Sequence, residues 1–307
     1  MYNKAIPVFG ILFCLLSACT TSKRLPPDVI IEAPAGDAYC RIQPAGKSIL
    51  PNGRFVEPMG QTIRIAPHPY GLALSPDGSI AVTANSGNRP FSITILENPA
   101  SGNLKARQVP EGPVNDPKLL EDVFMGLAVT PDNRRVWVAG GSANKLFCFD
   151  LKSGQKTDSI LCAQPDNPDG YLGDMVLSRD GSVLYVCDQS NFQLLVADIG
   201  SHRVINRIPT GRYPFGVALS PDQKTVYVAN VGMFEYQPLK PAIAAGANTK
   251  GADFPTSAYG SEEMKTGYSA NGHEVPALGD PNAPESFSVW AIDLTRAVPA
   301  VSKKIKT

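Results

Sequence analysis

The stretch Tyr70–Asn85, "YGLALSPDGSIAVTAN", decides how the rest of the chain is interpreted, because three later stretches match it. These are "MGLAVTPDNRRVWVAG" (125–140), "GDMVLSRDGSVLYVCD" (173–188) and "FGVALSPDQKTVYVAN" (215–230). Each copy has an alternating apolar segment, a Ser-Pro-Asp-Gly turn or a variant of it, and a second apolar segment. Proline presets φ in such a turn, aspartate accepts backbone hydrogen bonds and glycine tolerates left-handed backbone. Each copy therefore predicts a pair of antiparallel strands.

A second strand–turn–strand pattern follows each copy, at 91–109, 146–160, 194–208 and 287–305. Four strands in a unit of about 40–50 residues are typical of a β-propeller blade. Outside the N-terminal segment no stretch keeps the 3.6-residue period of an amphipathic helix, which excludes a helical solenoid. The sequence therefore predicts an all-β chain, with a partial propeller over residues 54–307.

The segment "PFGVALSPDQKTVYVAN", followed by strands of the "LLVADI" kind, resembles the bacterial YVTN-type propellers, which are related to the lactonase-like seven-bladed propellers. The resemblance covers roughly residues 60–230 and 286–307. It implies that about four blades of a probable seven are present. The repeated residues belong to turns and strand cores, so the resemblance is specific for fold and poor for function.

The N-terminus has a separate character. Lys4 precedes an apolar stretch that is too short to span a bilayer comfortably, which predicts a signal peptide over residues 1–18. The following "LSAC" resembles a bacterial lipobox, so Cys19 is the predicted lipidation site and residues 19–53 a tether and lead-in. An ordinary signal peptide cut near Ala18 is the alternative. Thr20, and not aspartate, follows Cys19. By resemblance to known lipoprotein sorting rules, this favours the periplasmic face of the outer membrane or the cell surface as the location of the exported lipoprotein.

Two stretches depart from the repeat. Residues 231–285 interrupt the fourth unit between its second and third strands, either as a loop draped on the propeller or as a lid over a partner or substrate. Residues 54–67 look like the last strand of a blade whose other strands lie elsewhere, as when an N-terminal strand closes a propeller. The terminal "VSKKIKT" (301–307) aligns with residues 204–210, which predicts the outer strand of a fourth blade and a chain that continues.

Few residues suggest chemistry. The three histidines, His68, His202 and His273, lack a second ligand at metal-binding spacing, so no metal, cofactor or catalytic residue is predicted. His68 and Arg212 stand just before first strands of repeats, where a propeller approaches its channel, and they are the candidate ligand-face residues. With 28 basic and 28 acidic residues, the chain shows no basic stripe, so nucleic acid is not an expected partner.

The recurring aspartates and the cysteines allow structural explanations. One aspartate per unit at an equivalent turn could hold calcium or act in acid–base chemistry, but capping of the turn explains the repetition better. These residues are Asp77, Asp132, Asp180 and Asp222 in the first turn, and Asp150, Asp198 and Asp293 in the second. Cys148 and Cys162 flank a predicted hairpin and could form a disulfide, whereas buried free thiols are the alternative for Cys40, Cys148, Cys162 and Cys187.

Three functions are compatible with this sequence. The first is a lipid-anchored binding or scaffold module of the cell envelope that engages a protein, glycan or small molecule on its loop face. The second is a lactonase-like propeller enzyme, and the third is the accessory propeller of a larger envelope hydrolase whose C-terminal phosphoesterase lies elsewhere, as the resemblance to some fused envelope proteins implies. The expected partners are the membrane, through lipidated Cys19, and a ligand on the loop face.

Overall fold

The computed structural model describes residues 32–43, 46–60, 62–87, 90–101, 103–164, 170–235 and 257–307. The predicted signal peptide and Cys19 lie outside these residues. The chain divides into a first unit that ends at Arg64 and a second unit, Ile65–Thr307.

The described part of the first unit contains one small sheet. In it β1 (Ser48–Ile49) pairs antiparallel with β2 (Phe55–Val56), and Arg41 forms a bridge to Ile49. No other described residue between 54 and 67 belongs to a strand, and the blade that this stretch was expected to complete is not among the sheets of the described residues, so the expected blade strand stays a prediction. Phe55–Val56 instead pair locally, because a tight turn at residues 51–53 returns the chain to β1.

Within its described residues, the second unit contains four four-stranded antiparallel sheets, here called blades 1 to 4, and one two-stranded hairpin. Blade 1 consists of β3 (Pro69–Leu74), β4 (Ile80–Asn85), β5 (Ser92–Glu97) and β6 (Lys105–Val109). Blade 2 consists of β7 (Leu127–Val129), β8 (Arg135–Ala139), β9 (Lys145–Asp150) and β10 (Lys156–Leu161). Blade 3 consists of β11 (Leu172–Leu177), β12 (Val183–Asp188), β13 (Gln193–Asp198) and β14 (Arg203–Pro209). Blade 4 consists of β15 (Pro214–Leu219), β16 (Thr225–Asn230), β19 (Ser288–Asp293) and β20 (Ala300–Lys306).

The order of strands within each blade is the order along the chain, so every blade is a simple meander. The first strands of successive blades contact one another: β3 contacts β7, β7 contacts β11, and β11 contacts β15. Four meanders that meet through their first strands are propeller blades. The predicted all-β propeller with four blades is confirmed. The four matching stretches supply the first two strands of each blade, and the terminal segment supplies its predicted outer strand, β20.

The hydrophobic core lies between adjacent blades rather than inside any one of them. Val82, Ile95 and Phe149 belong to the cluster between blades 1 and 2, and all three side chains are fully buried. Trp137 and Leu184 lie in the cluster between blades 2 and 3. A third cluster joins blades 3 and 4. A single four-stranded sheet cannot bury both of its faces, so each blade depends on its neighbours for its stability.

The turn aspartates are capping residues. In blade 1 the Oδ1 atom of Asp77 accepts hydrogen bonds from the Ser75 hydroxyl at 2.7 Å and from the Ser79 backbone N–H at 3.0 Å. The same pattern recurs at the first turn of the other blades, at Asp132, Asp180 and Asp222. These hydrogen bonds, above all the one from the preceding Ser or Thr hydroxyl, lower the pKa of each carboxyl.

The second turns are capped in the same way by Asp150, Asp198 and Asp293. Asp150 accepts from the backbone N–H and the hydroxyl of Ser153, and the bonds at all three aspartates lower their pKa values. The interpretation of these aspartates as caps is therefore confirmed for all seven positions. Their oxygens point at the backbone of their own turns, which is why one occurs per turn.

The stretch 231–285 enters between β16 and β19, as the sequence predicts. Its described part contains a short helix, α1 (Glu262–Thr266), and the hairpin of β17 (Tyr268–Ala270) and β18 (His273–Val275). Ser261 caps α1 by accepting the Met264 N–H, and the Met264 side chain is buried. Within the described part of the chain no helix is long and apolar enough to cross a membrane.

The cysteines settle one open alternative. Cys148 and Cys162 are free and buried within the same core cluster, between blades 2 and 3, so the candidate disulfide is not formed. Cys187 is also a buried free thiol, whereas Cys40 is free and exposed. Burial raises the pKa of Cys148, raises that of Cys162 to about 12, and raises that of Cys187 still more clearly above the usual thiol range.

Candidate functional site

Aromatic side chains from all four blades meet where the first strands begin. The Phe124 ring lies at the centre, with its centroid 5.2 Å from that of Tyr70, 5.4 Å from that of Tyr171 and 6.2 Å from that of Phe215. Tyr213 stacks on Phe215 at 6.5 Å. The Tyr70 side chain is 60 % exposed and the other four are partly exposed. We call these five residues the aromatic mouth.

The repeat explains why the rings converge. Tyr70 and Phe215 are each the second residue of a first strand, while Phe124 and Tyr171 lie just before theirs. Because the first strands of neighbouring blades contact one another, their starting residues are brought to one end of the same narrow region. Aromatic rings at 4.5–7 Å attract one another and present both apolar faces and polar edges to a ligand.

Tyr171 adds a hydroxyl to the mouth. Burial, then the nearby Asp122 carboxylate and Tyr213, raise the pKa of Tyr171 to about 12. The Asp122 carboxylate is itself held in place, since it accepts hydrogen bonds from the Ser142 backbone N–H at 2.8 Å and the Ser142 hydroxyl at 2.6 Å. Tyr171 therefore stays protonated in neutral solution and can both donate and accept a hydrogen bond.

Gln189 is the most unusual polar side chain near the mouth. It is fully buried, its backbone N–H donates to the Tyr171 carbonyl, and neither its side-chain oxygen nor its side-chain nitrogen has a hydrogen-bond partner among the described residues. Glycine at 173 makes room for it, because a Cβ there would stand 2.6 Å from Gln189 Nε2. A buried amide without partners is costly in a protein interior. The Gln189 side chain thus holds a buried donor and acceptor next to Gly173, and its backbone is hydrogen-bonded to that of Tyr171.

Asp174 lies on β11, three residues after Tyr171, and its side chain links blade 3 to blade 4. Its Oδ2 atom accepts the backbone N–H of Val217 on β15 at 3.0 Å. Burial raises the pKa of Asp174, although the hydrogen bond from Val217 opposes the shift. A partly buried carboxyl on a first strand, three residues from Tyr171, is a candidate for proton transfer.

Of the candidate ligand-face residues, His68 immediately precedes β3 and is exposed. Its backbone is left-handed, with φ 54°, and Tyr213 occupies the matching position before β15 with the same φ. His68 thus occupies in blade 1 the position that Tyr213 of the mouth occupies in blade 4.

Arg212, beside Tyr213, is almost fully buried, and its guanidinium binds the insert. It donates to the backbone carbonyls of Met233 at 2.7 Å and Asp280 at 2.6 Å, and to the carboxylate of Glu235 at 2.6 Å. The side chain predicted to meet a ligand therefore contacts the protein's own insert.

The other histidines lie elsewhere in the fold. His202 contacts Asp158 of blade 2, with its Nδ1 atom 2.9 Å from the carboxylate, and His273 belongs to β18. Within the described ranges no cluster of three or more His, Cys, Asp or Glu side chains could hold a metal ion.

The sequence analysis missed the aromatic mouth and Gln189. Aligning the residues around the start of each repeat would have shown that an aromatic side chain recurs there, at Tyr70, Phe124, Tyr171 and Phe215. Its position relative to the turn aspartate shifts by up to two residues between blades, which hides the recurrence in a strict alignment. Gln189 gives no sequence signal, because only burial distinguishes it from a surface glutamine.

No protein-family model matches the chain, and no curated protein matches it significantly. Among solved structures, hydrazine synthase of Kuenenia stuttgartiensis aligns at 18 % identity with a TM-score of 0.49, over 81 % of this chain and 52 % of that protein. A putative 6-phosphogluconolactonase from Bacteroides uniformis aligns at 15 % identity with a TM-score of 0.48, over 80 % and 59 %. The periplasmic gluconolactonase of Pseudomonas aeruginosa aligns at 20 % identity with a TM-score of 0.45, over 60 % and 55 %.

These similarities carry no argument about activity. The chain spans between about half and three fifths of the length of these structures. The propeller architecture rests on the chain's own four blades, and the aromatic mouth is what they place at one end of the first strands.

Proposed function

We propose that the chain is a lipid-anchored propeller module of the YVTN type in the bacterial cell envelope, and that it binds its ligand at the aromatic mouth. The observation that carries the proposal is the convergence of five partly exposed aromatic rings from four blades on one place. The Tyr70 ring contacts Phe124 of the next blade but leaves most of its surface in solvent, where a ligand can stack on it.

Ligand screening tests the binding role. The purified protein is titrated with panels of sugars, peptidoglycan fragments and short peptides, and binding is followed by saturation-transfer NMR. We expect at least one class to bind, and Tyr70→Ala to weaken its affinity about tenfold, the loss of one stacking contact of roughly 1.4 kcal/mol. Tyr227→Ala is the matched control, because Tyr227 is an exposed tyrosine on β16 outside the mouth. Equal losses in the two variants would refute the mouth as the binding face.

The anchor has a separate test. Cells that express the full chain are fed an alkyne-bearing fatty acid, and the protein is examined for the label. The wild type should carry it and Cys19→Ser should not, while the other cysteines are unchanged. Label on both proteins, or on neither, would contradict lipidation at Cys19 and with it the envelope anchor.

A lactonase-like activity is the second candidate function, favoured by the partly buried carboxyl of Asp174 on the same strand that leads from Tyr171. Such a group is suited to act as a general base towards water beside a cyclic ester. A lactone panel, assayed by release of acid, checks it. Turnover that Asp174→Asn and His68→Ala leave intact, or no turnover at all, would remove this candidate.

An accessory role beside an envelope hydrolase domain is tested by reading the coding DNA beyond codon 307.

A further inference from the structure

The guanidinium of Arg212 forms hydrogen bonds with both described ends of the insert. One nitrogen, Nη1, bonds the carbonyls of Met233 and Asp280, which lie on opposite sides of the stretch 236–256. The Arg212 backbone adds two further bonds, because its carbonyl accepts the Gly232 N–H at 2.8 Å and its N–H donates to the Glu285 carbonyl at 2.9 Å. Arg212 thus contacts the insert near its beginning and near its end.

The insert also lies close to the other terminal nitrogen of the guanidinium, Nη2. A Cβ at position 279 would stand 2.8 Å from Arg212 Nη2, and Gly279 has a φ of 82°, which favours glycine. Next to it, the Glu235 N–H donates to the Leu278 carbonyl at 2.7 Å. The two arms of the insert are therefore held together directly beside the nitrogen that binds the Glu235 carboxylate.

Among the described residues, that carboxylate is the one charged group that contacts the buried guanidinium. The Arg212 side chain is 4 % exposed, whereas the Glu235 side chain is 50 % exposed. Only Oε1 of Glu235 contacts the guanidinium, at 2.6 Å, and the Arg212 Nε–H is buried without a partner in the described structure. A guanidinium can hold a carboxylate through two parallel bonds, so this single contact leaves part of its capacity unused.

The other charged groups nearby do not compete for this place. The Glu285 carboxylate pairs with Lys304 at 3.3 Å, and the Asp280 carboxylate accepts the Asn282 backbone N–H at 2.9 Å. Arg212 immediately precedes Tyr213, and the first residue of the insert, Val231, donates its N–H to the Tyr213 carbonyl. The cation and the start of the insert therefore adjoin the aromatic mouth.

We propose that Arg212 is a recognition site for a small organic carboxylate and that Glu235 of the insert masks it. The Glu235 side chain occupies the place of the ligand's carboxylate, and a ligand enters by exchanging with it. When the ligand replaces the Glu235 carboxylate, the two hydrogen bonds from Nη1 to backbone carbonyls remain. The insert therefore stays bound to Arg212 while the Glu235 side chain moves into solvent. This inference rests on the proposed function, ligand binding at the aromatic mouth. Arg212 would add a charged contact at the edge of that binding surface.

The test compares benzoate with benzamide, two planar molecules of nearly equal size that differ in charge. Binding to the full-length protein is measured by calorimetry for the wild type and for Glu235→Gln. Because a neutral amide holds the guanidinium less strongly than a carboxylate, we expect Glu235→Gln to bind benzoate about tenfold more tightly than the wild type. Benzamide should bind both proteins equally.

Glu121→Gln is the matched control, because it removes an acid from an ion pair with Lys145 on blade 2; it should leave benzoate affinity unchanged. A second measurement follows the side-chain carboxyl carbon of Glu235 by NMR, whose chemical shift should move towards that of a solvent-exposed glutamate when benzoate binds to the wild type. Equal benzoate affinity in wild type and Glu235→Gln, equal gains for benzamide, or no benzoate binding to Glu235→Gln at millimolar concentration would each overturn the proposal. Failure of Tyr70→Ala to weaken any ligand would instead refute binding at the mouth.

Discussion

Gly71 of blade 1 faces Met125 of blade 2 so closely that a Cβ added at Gly71 would stand 1.9 Å from the Met125 carbonyl oxygen. Gly126, at the same place in the repeat, faces Gly173 of blade 3, where the corresponding distance is 2.3 Å. The glycine of the repeat therefore lies where the first strands of adjacent blades contact each other. Its lack of a side chain sets how closely the blades approach.

Gly71→Ala should lower the free energy of unfolding by about 3 kcal/mol, because the clash is with backbone that cannot move without separating two blades. Gly216→Ala is the matched control. Gly216 occupies the same position in blade 4, but a Cβ there would meet only the Ala229 side chain, at 3.8 Å. Urea denaturation measures both variants. Similar losses at the two positions would show that the glycine is needed for its own strand rather than for contact between blades.

Acid should weaken the fold through the turn aspartates. Hydrogen bonds hold the pKa of each of the first-turn carboxyls below its usual value of 3.8. A lowered pKa in the folded state stabilises above the unfolded pKa, and this contribution is lost as the pH falls through the folded pKa. We therefore expect stability to decline below about pH 4. A variant with all four of these aspartates changed to Asn should be less stable at pH 7 and should show a flatter profile between pH 5 and pH 2.5.

Asp174 should act with the opposite sign. Burial raises its pKa, so the folded state disfavours the ionised form, and stability falls as the pH rises from the unfolded to the folded pKa. Asp174→Asn keeps an oxygen that can accept the Val217 N–H but has no charge. Its melting temperature should exceed that of the wild type at pH 7 and match it near pH 3. A lower melting temperature at pH 7 would mean that the charge itself holds blades 3 and 4 together.

The thiols should differ sharply in reactivity. Cys148, Cys162 and Cys187 are buried with raised pKa values, while Cys40 is exposed. Since the thiolate is the reactive form, brief treatment of the native protein with iodoacetamide at pH 8 should modify Cys40 and spare the other three. Peptide mapping by mass spectrometry assigns the label to each cysteine. The three buried thiols should react only after denaturation in urea, and their early modification would contradict the packing between blades.

Periodicity in the sequence was sufficient for the architecture. The alternation of apolar residues around "SPDG" turns determined the strand pairs, and the recurrence of the pattern determined the blades, because both depend on contacts close along the chain. The turn aspartates were predictable for the same reason, since each binds the backbone within three residues. The strand expected over 54–67 stays a prediction, because the strands that it would pair with are not among the described sheets, and Phe55–Val56 pair with β1.

Only the tertiary structure decided what lies at the mouth. Tyr70, Phe124, Tyr171 and Phe215 are roughly 40 to 55 residues apart along the chain, and their rings meet because the first strands of successive blades converge. Arg212 and Glu235 are joined by the path that the insert takes on leaving β16. The sequence by itself determined the blades, through local hydrogen bonds and strand periodicity. Which side chains share a binding surface followed from how the blades pack on one another.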